Sequence, residues 1–99
     1  MNAAGTWQVQ IATPVGVLEV RYVFATQDGV LQGHATQGQE TTELTEVTSA
    51  GERLSWVQQM TRPMKLKLRF EVTVAGDQMI GTARAAPLPG SKVTGTRSG

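Results

Sequence analysis

Apolar and polar positions alternate along nearly the whole chain. Trp7, Val9 and Ile11 are separated by Gln8 and Gln10, and Leu18, Val20, Tyr22 and Phe24 by Glu19, Arg21 and Val23. Leu54, Trp56, Gln58 and Met60 form a third such face, and Leu66, Leu68, Phe70 and Val72 a fourth, interleaved with Lys67, Arg69 and Glu71. A period of two is that of a strand with one face in a core, and the many β-branched residues favour the same state. Turn residues fall between the runs: Thr13-Pro14-Val15-Gly16, Gln27-Asp28-Gly29, Ala50-Gly51, Arg62-Pro63, Ala75-Gly76-Asp77, and Pro87, Pro89 and Gly90. Asp-Gly is a strong hairpin signal. The pattern predicts strands near 6–13, 17–26, 30–36, 41–48, 53–60, 65–75, 78–85 and 91–97, with short tails at 1–5 and 98–99. Strands at this spacing indicate an all-β sandwich or barrel.

The segment from Gln39 to Ser49 fits least well. Glu40, Glu43 and Glu46, with Leu44 and Val47, have near-helical spacing, which leaves a single helical turn as the competing reading. Thr41, Thr42, Thr45 and Thr48 are poor helix formers. A strand with a bulge would let Leu44 and Val47 both face inward despite their odd spacing.

The two halves echo one another. At an offset of 49, Trp7 meets Trp56, Ile11 meets Met60 and Pro14 meets Pro63. At 48, Leu18 meets Leu66, Tyr22 meets Phe70, Leu31 meets Met79, Gly33 meets Gly81 and Ala35 meets Ala83. Each half reads as the same four-strand meander, and neither can cover its own apolar face. The expectation is a single closed antiparallel up-and-down β-barrel of about eight strands over residues 6–97, closure removing exposed edges. Inward glycines at Gly33, Gly81 and Gly95 then need a reason, either sharp coiling of the wall or room for a bulky neighbour.

Composition narrows the function classes. The 99 residues suit one domain. Nine basic and eight acidic residues leave a net charge of +1, without the basic excess of a dedicated nucleic-acid binder. With no cysteine and one histidine, His34, disulfides and Cys- or His-rich metal sites are excluded. No 18-residue apolar run is present, so no membrane span is expected. Residues 1–5 lack the charge-then-apolar pattern of a signal peptide, and the cysteine-free chain suits a reducing cytoplasm.

Gly5-Thr6-Trp7 resembles the Gly-x-Trp of calycins, the lipocalin and avidin group, and Thr94-Gly95-Thr96-Arg97 resembles the late strand whose Arg crosses that Trp. Between them lie Thr13-Pro14-x-Gly16, Asp28-Gly29-x-Leu31-x-Gly33, Gly51-x-x-Leu54-x-Trp56 and Gly76-Asp77-x-Met79-x-Gly81. Over about residues 5 to 97 the chain is similar to small lipocalin-like β-barrel proteins of bacteria. The resemblance implies a calycin-like barrel plugged at one end by Trp7 and Arg97. It implies no particular ligand, and the polar residues by which avidins hold biotin are missing.

Candidate chemistry rests on isolated side chains, since no enzyme motif, phosphate loop or metal spacing stands out. Tyr22 and Gln58 fall on inward faces and need partners. They either bond each other or orient a ligand among Trp56, Met60 and Phe70. Tyr22, Glu46 and His34 are the candidates for acid–base work, with Glu46 inward only if no bulge intervenes and His34 expected to point outward. Lys65, Lys67 and Arg69 read as a solvated outer face, with no exposed aromatics beside them to bind a single strand. Val23, Val57 and Ile80, if clustered, would make a homodimer contact. The leading expectation is a barrel binding a small apolar or aromatic molecule in a narrow cavity, with no cofactor. The alternatives are a cofactor-independent isomerase, cyclase or hydratase acting on a hydrophobic molecule, and a structural or interaction module with a filled core.

Overall fold

A computed structural model describes residues 3–14, 16–60, 65–85 and 89–98. The Arg62-Pro63 and Pro87 turns and the side chain of Met60 lie outside the described residues. The strands are β1 (Gly5–Thr13), β2 (Gly16–Gln27), β3 (Val30–Gln37), β4 (Glu40–Glu43), β5 (Thr45–Ala50), β6 (Arg53–Met60), β7 (Leu66–Ala75), β8 (Gln78–Arg84) and β9 (Ser91–Arg97). No helix occurs among the described residues. All neighbours pair antiparallel in one sheet of order β4-β3-β2-β1-β9-β8-β7-β6-β5, nearly closed into a barrel. First and last strands are joined directly, Trp7 lying opposite Arg97 and Ile11 opposite Val93. The Asp28-Gly29 turn has both central residues at positive φ, 54° and 78°, the type I′ geometry whose twist matches the flanking strands.

Among the described residues nine strands replace the eight expected, because the predicted strand 41–48 is divided at Leu44. Residues before it pair with β3 and residues after it with β6. The Leu44 N–H still donates to Gly33 O at 3.0 Å, so the chain changes partner at this residue. The register then shifts between Thr45 and Thr48, and Glu46 takes a left-handed φ of 51°. This bulge reconciles the odd spacing: Leu44 joins the core and Val47 packs against it. The same twist turns Glu46 outward, where it is exposed.

The half-chain echo holds at the level of register. Trp7 lies opposite Tyr22 as Trp56 lies opposite Phe70; Tyr22 opposite Ala35 as Phe70 opposite Ala83; Phe24 opposite Gly33 as Val72 opposite Gly81. Strands β1–β3 and β6–β8 are thus two copies of one three-stranded unit, and each lays an apolar face against the other. The inward glycines make room. A Cβ at Gly33 would lie 2.7 Å from the Phe24 ring, and one at Gly95 2.8 Å from Met79 Cγ.

Candidate functional site

Of the residues expected to line a cavity, Tyr22, Trp56, Gln58 and Phe70 come together and touch one another, while the Met60 side chain lies outside the described residues. Trp56 and Phe70, opposite each other on β6 and β7, stack at 4.8 Å between centroids and 9° between planes. Tyr22 reaches Trp56 at 5.1 Å and Phe24 reaches it at 5.2 Å, both tilted. Tilted and offset ring pairs contribute about 0.5–1.5 kcal/mol each beyond their buried area. All of these rings are at most 1% exposed. Trp56 is the hub, and the space a guest would occupy beside it is taken by three other aromatic side chains.

The two inward polar groups bond each other. The Tyr22 hydroxyl donates to Gln58 Oε1 at 2.6 Å across the barrel, and Gln58 is 4% exposed. Burial pushes the Tyr22 phenol far above its ordinary value of 10.0, and the neighbouring Trp56 indole and Gln58 amide counter only part of that shift. The Trp56 Nε1–H is close enough to favour a phenolate but makes no hydrogen bond among the described residues. Such a phenol neither gives nor takes a proton near neutral pH. A folded-state pKa above the unfolded one means stability fully present below about pH 10 and lost as pH rises beyond it. Because Tyr22 is the single tyrosine, its absorbance should show no phenolate while the barrel is folded at about pH 10–11, and ionisation should coincide with unfolding. Tyr22→Phe should remove this alkaline transition. It should also cost about 1–3 kcal/mol at neutral pH by orphaning the Gln58 carbonyl. A phenolate signal in folded protein would contradict the assignment.

The other acid–base candidates lie elsewhere. His34, half-buried, alternates with buried Gly33 and Ala35 and so points to the outer side of β3, opposite Val23 and Glu43. Glu46 is on the bulge. Neither shares a side of the wall with Tyr22. Among the described residues no cluster of His, Asp or Glu could hold a metal ion.

Arg97 and Trp7 meet where β9 ends beside the start of β1. The Arg97 guanidinium carbon sits 4.5 Å above the Trp7 ring centre. Arg97 also donates to Gly76 O at 3.0 Å, to Asp77 Oδ1 at 2.9 Å and to Ala4 O. The Trp7 indole donates to Ala3 O at 2.9 Å, drawing Ala3 into the core at 3% exposure. Among the described residues the equivalent Trp56 has no such cap, which breaks the internal symmetry.

Two depressions lie on the outer wall, one over β1, β8 and β9 beside Gln8, Gln10, Gln78, Ile80, Thr94 and Thr96. The other crosses β5–β8 beside Arg53, Ser55, Glu71, Thr73 and Thr82. The three outward apolar residues form no common patch. Ile80 is 55% exposed, Val23 is half-buried and Val57 is buried, and they sit on β8, β2 and β6, no two of which are neighbours. Comparison with protein-family models, curated proteins and solved structures finds no match.

What the sequence reading passed over is the distribution of charge. Residues 1–50 hold five acidic and one basic side chain, and residues 51–99 three acidic and eight basic. The two halves of the barrel therefore carry −4 and +5. A count by repeat rather than over the whole chain would have found it.

Proposed function

We propose that this chain is an interaction module: a barrel with a filled interior that acts through its outer wall. The observation that carries this reading is the Tyr22–Gln58 hydrogen bond within the ring cluster. The interior groups most suited to orient a guest are each other's partners, and the rings around them pack at van der Waals separation. The Arg97 contact over Trp7 supports a calycin-type closure of the barrel end. Where lipocalin-like barrels keep a hollow, four of the five aromatic side chains here meet in the middle.

One observation favours a second reading, the small-molecule barrel. Trp56 Nε1 is a buried donor without a partner among the described residues, and leaving such a group unpaired costs about 1–3 kcal/mol. A small guest with one acceptor atom would satisfy it. Native mass spectrometry of protein purified under mild conditions separates the two. The filled module should show the bare chain mass, and Trp fluorescence should be unmoved by apolar or aromatic compounds. A retained small molecule that quenches Trp56 would overturn the filled reading in favour of the second.

A further inference from the structure

Six of the nine basic residues lie on strands β6–β9, where Glu71 is the single acid. Their outer sides converge. Arg69 on β7 lies directly opposite Arg84 on β8. Lys67 is two residues along β7, and Lys92 on β9 lies opposite Thr82, one step diagonal from Arg84. Lys65 extends the row. All five are exposed, and among the described residues none pairs with an acidic side chain. Like charges directly opposite on neighbouring strands oppose folding, so this arrangement has no account in stability. Away from this face, β4 at the other end of the strand order carries Glu40 and Glu43, while Glu46 lies on β5, separated from β7 by β6.

We infer that the β7–β9 face docks on an anionic phospholipid surface, with the acidic strand β4 turned away from it. This rests on the filled-barrel reading and names the partner of its outer wall. Opposite charge on opposite sides orients the molecule as well as attracting it. Nucleic acid suits the face less well. All five aromatic rings are at most 1% exposed, so nothing can stack on the bases of a single strand. The body is 23–24 Å across its two short axes, too wide for a duplex groove of about 12 Å. A rigid duplex would then meet a convex wall along a narrow line, whereas mobile lipid headgroups can gather beneath it. Val17, 63% exposed, sits in the same cross-strand row as Lys92 through Ala12 and offers an apolar contact at the edge of the patch.

Co-sedimentation with vesicles tests this. The full chain should bind phosphatidylcholine vesicles containing about one-third phosphatidylserine at low salt, ignore pure phosphatidylcholine, and be released at about 1 M salt. Each surface cation is worth roughly fivefold in partitioning, so Arg69→Gln with Arg84→Gln should weaken binding roughly 25-fold. Lys67→Gln with Lys92→Gln should do the same, which keeps the test open if one pair misfolds. Glu43→Gln, on the opposite side, should not weaken it. Absence of binding to the anionic vesicles, indifference to both double variants, or displacement by duplex DNA that holds the protein more tightly would overturn the inference. A guest retained inside the barrel would overturn the filled reading instead, and mass spectrometry reports that independently of vesicle binding.

Discussion

Trp7→Ala should destabilise the barrel by roughly 3–5 kcal/mol, the range for removing a large aromatic from a packed core. Trp7 is fully buried and ties three parts of the chain together. It is opposite Tyr22 on β2 and Arg97 on β9, and its indole holds Ala3 of the N-terminal segment. Its loss leaves a cavity in the core beside β1 and removes the ring beneath the guanidinium. For a domain whose whole stability is on the order of 5–15 kcal/mol, that is a large share. Arg97→Lys is the companion test. An ammonium keeps the charge but cannot reach Gly76 O and Asp77 together while lying flat on the ring. The Asp77 partner is 77% exposed, so the pair itself contributes little. The expected loss, about 1–2 kcal/mol, comes mainly from the cation–π contact and the carbonyl hydrogen bonds. Denaturant midpoints should rank wild type above Arg97→Lys above Trp7→Ala. A Trp7→Ala protein with the wild-type midpoint would mean that this end is not a closure.

Gly81→Ala should be nearly as damaging, for a steric reason. A Cβ there would lie 2.0 Å from Glu71 O and 2.6 Å from Val72 Cα. These are backbone atoms of the neighbouring strand, and they move only if the β7–β8 register around Val72 and Gly81 is broken. Gly33→Ala is the milder partner, since its Cβ would meet the edge of the Phe24 ring at 2.7 Å. That ring is fixed by Trp56, so relief requires the cluster to shift. Overpacking of this kind costs about 1–3 kcal/mol, and Gly81 should sit at or beyond the upper end. Gly90→Ala is the control: its nearest atom is Arg84 Cγ at 3.3 Å, part of an exposed, flexible side chain. Unfolding midpoints should therefore fall in the order Gly90→Ala, Gly33→Ala, Gly81→Ala. Equal midpoints for all three would show that the wall coils less tightly at Gly81 than described.

Strand positions were legible in the sequence because the pleat is local: each side chain's face follows from its parity, and Val9, Val20, Leu68 and Val93 needed no partner to be placed. The Asp28-Gly29 turn was legible for the same reason, as was the common register of β2–β3 and β7–β8, since the two-residue turns Asp28-Gly29 and Gly76-Asp77 join equal alternations and impose equal pairings. The bulge could be suspected from the spacing of Leu44 and Val47. That the strand divides there, changing partner from β3 to β6, depends on where two sheet edges meet after the wall has curled.

What the interior holds depends on distances across the barrel, which no periodicity encodes. Tyr22 and Gln58 are 36 residues apart, and whether they hold a guest or each other turns on a 2.6 Å gap set by the width of the closed wall. Alternation assigned the inner faces of Trp56, Phe70 and Tyr22. Only their packing in three dimensions showed that these rings occupy the space between them. Likewise the row of lysines and arginines was visible as exposed residues on one strand, but antiparallel pairing was needed to lay Arg84 and Lys92 beside Arg69. Side-chain facing is a property of the individual strand, whereas filling and patch formation are properties of strands brought together, and closure supplied both.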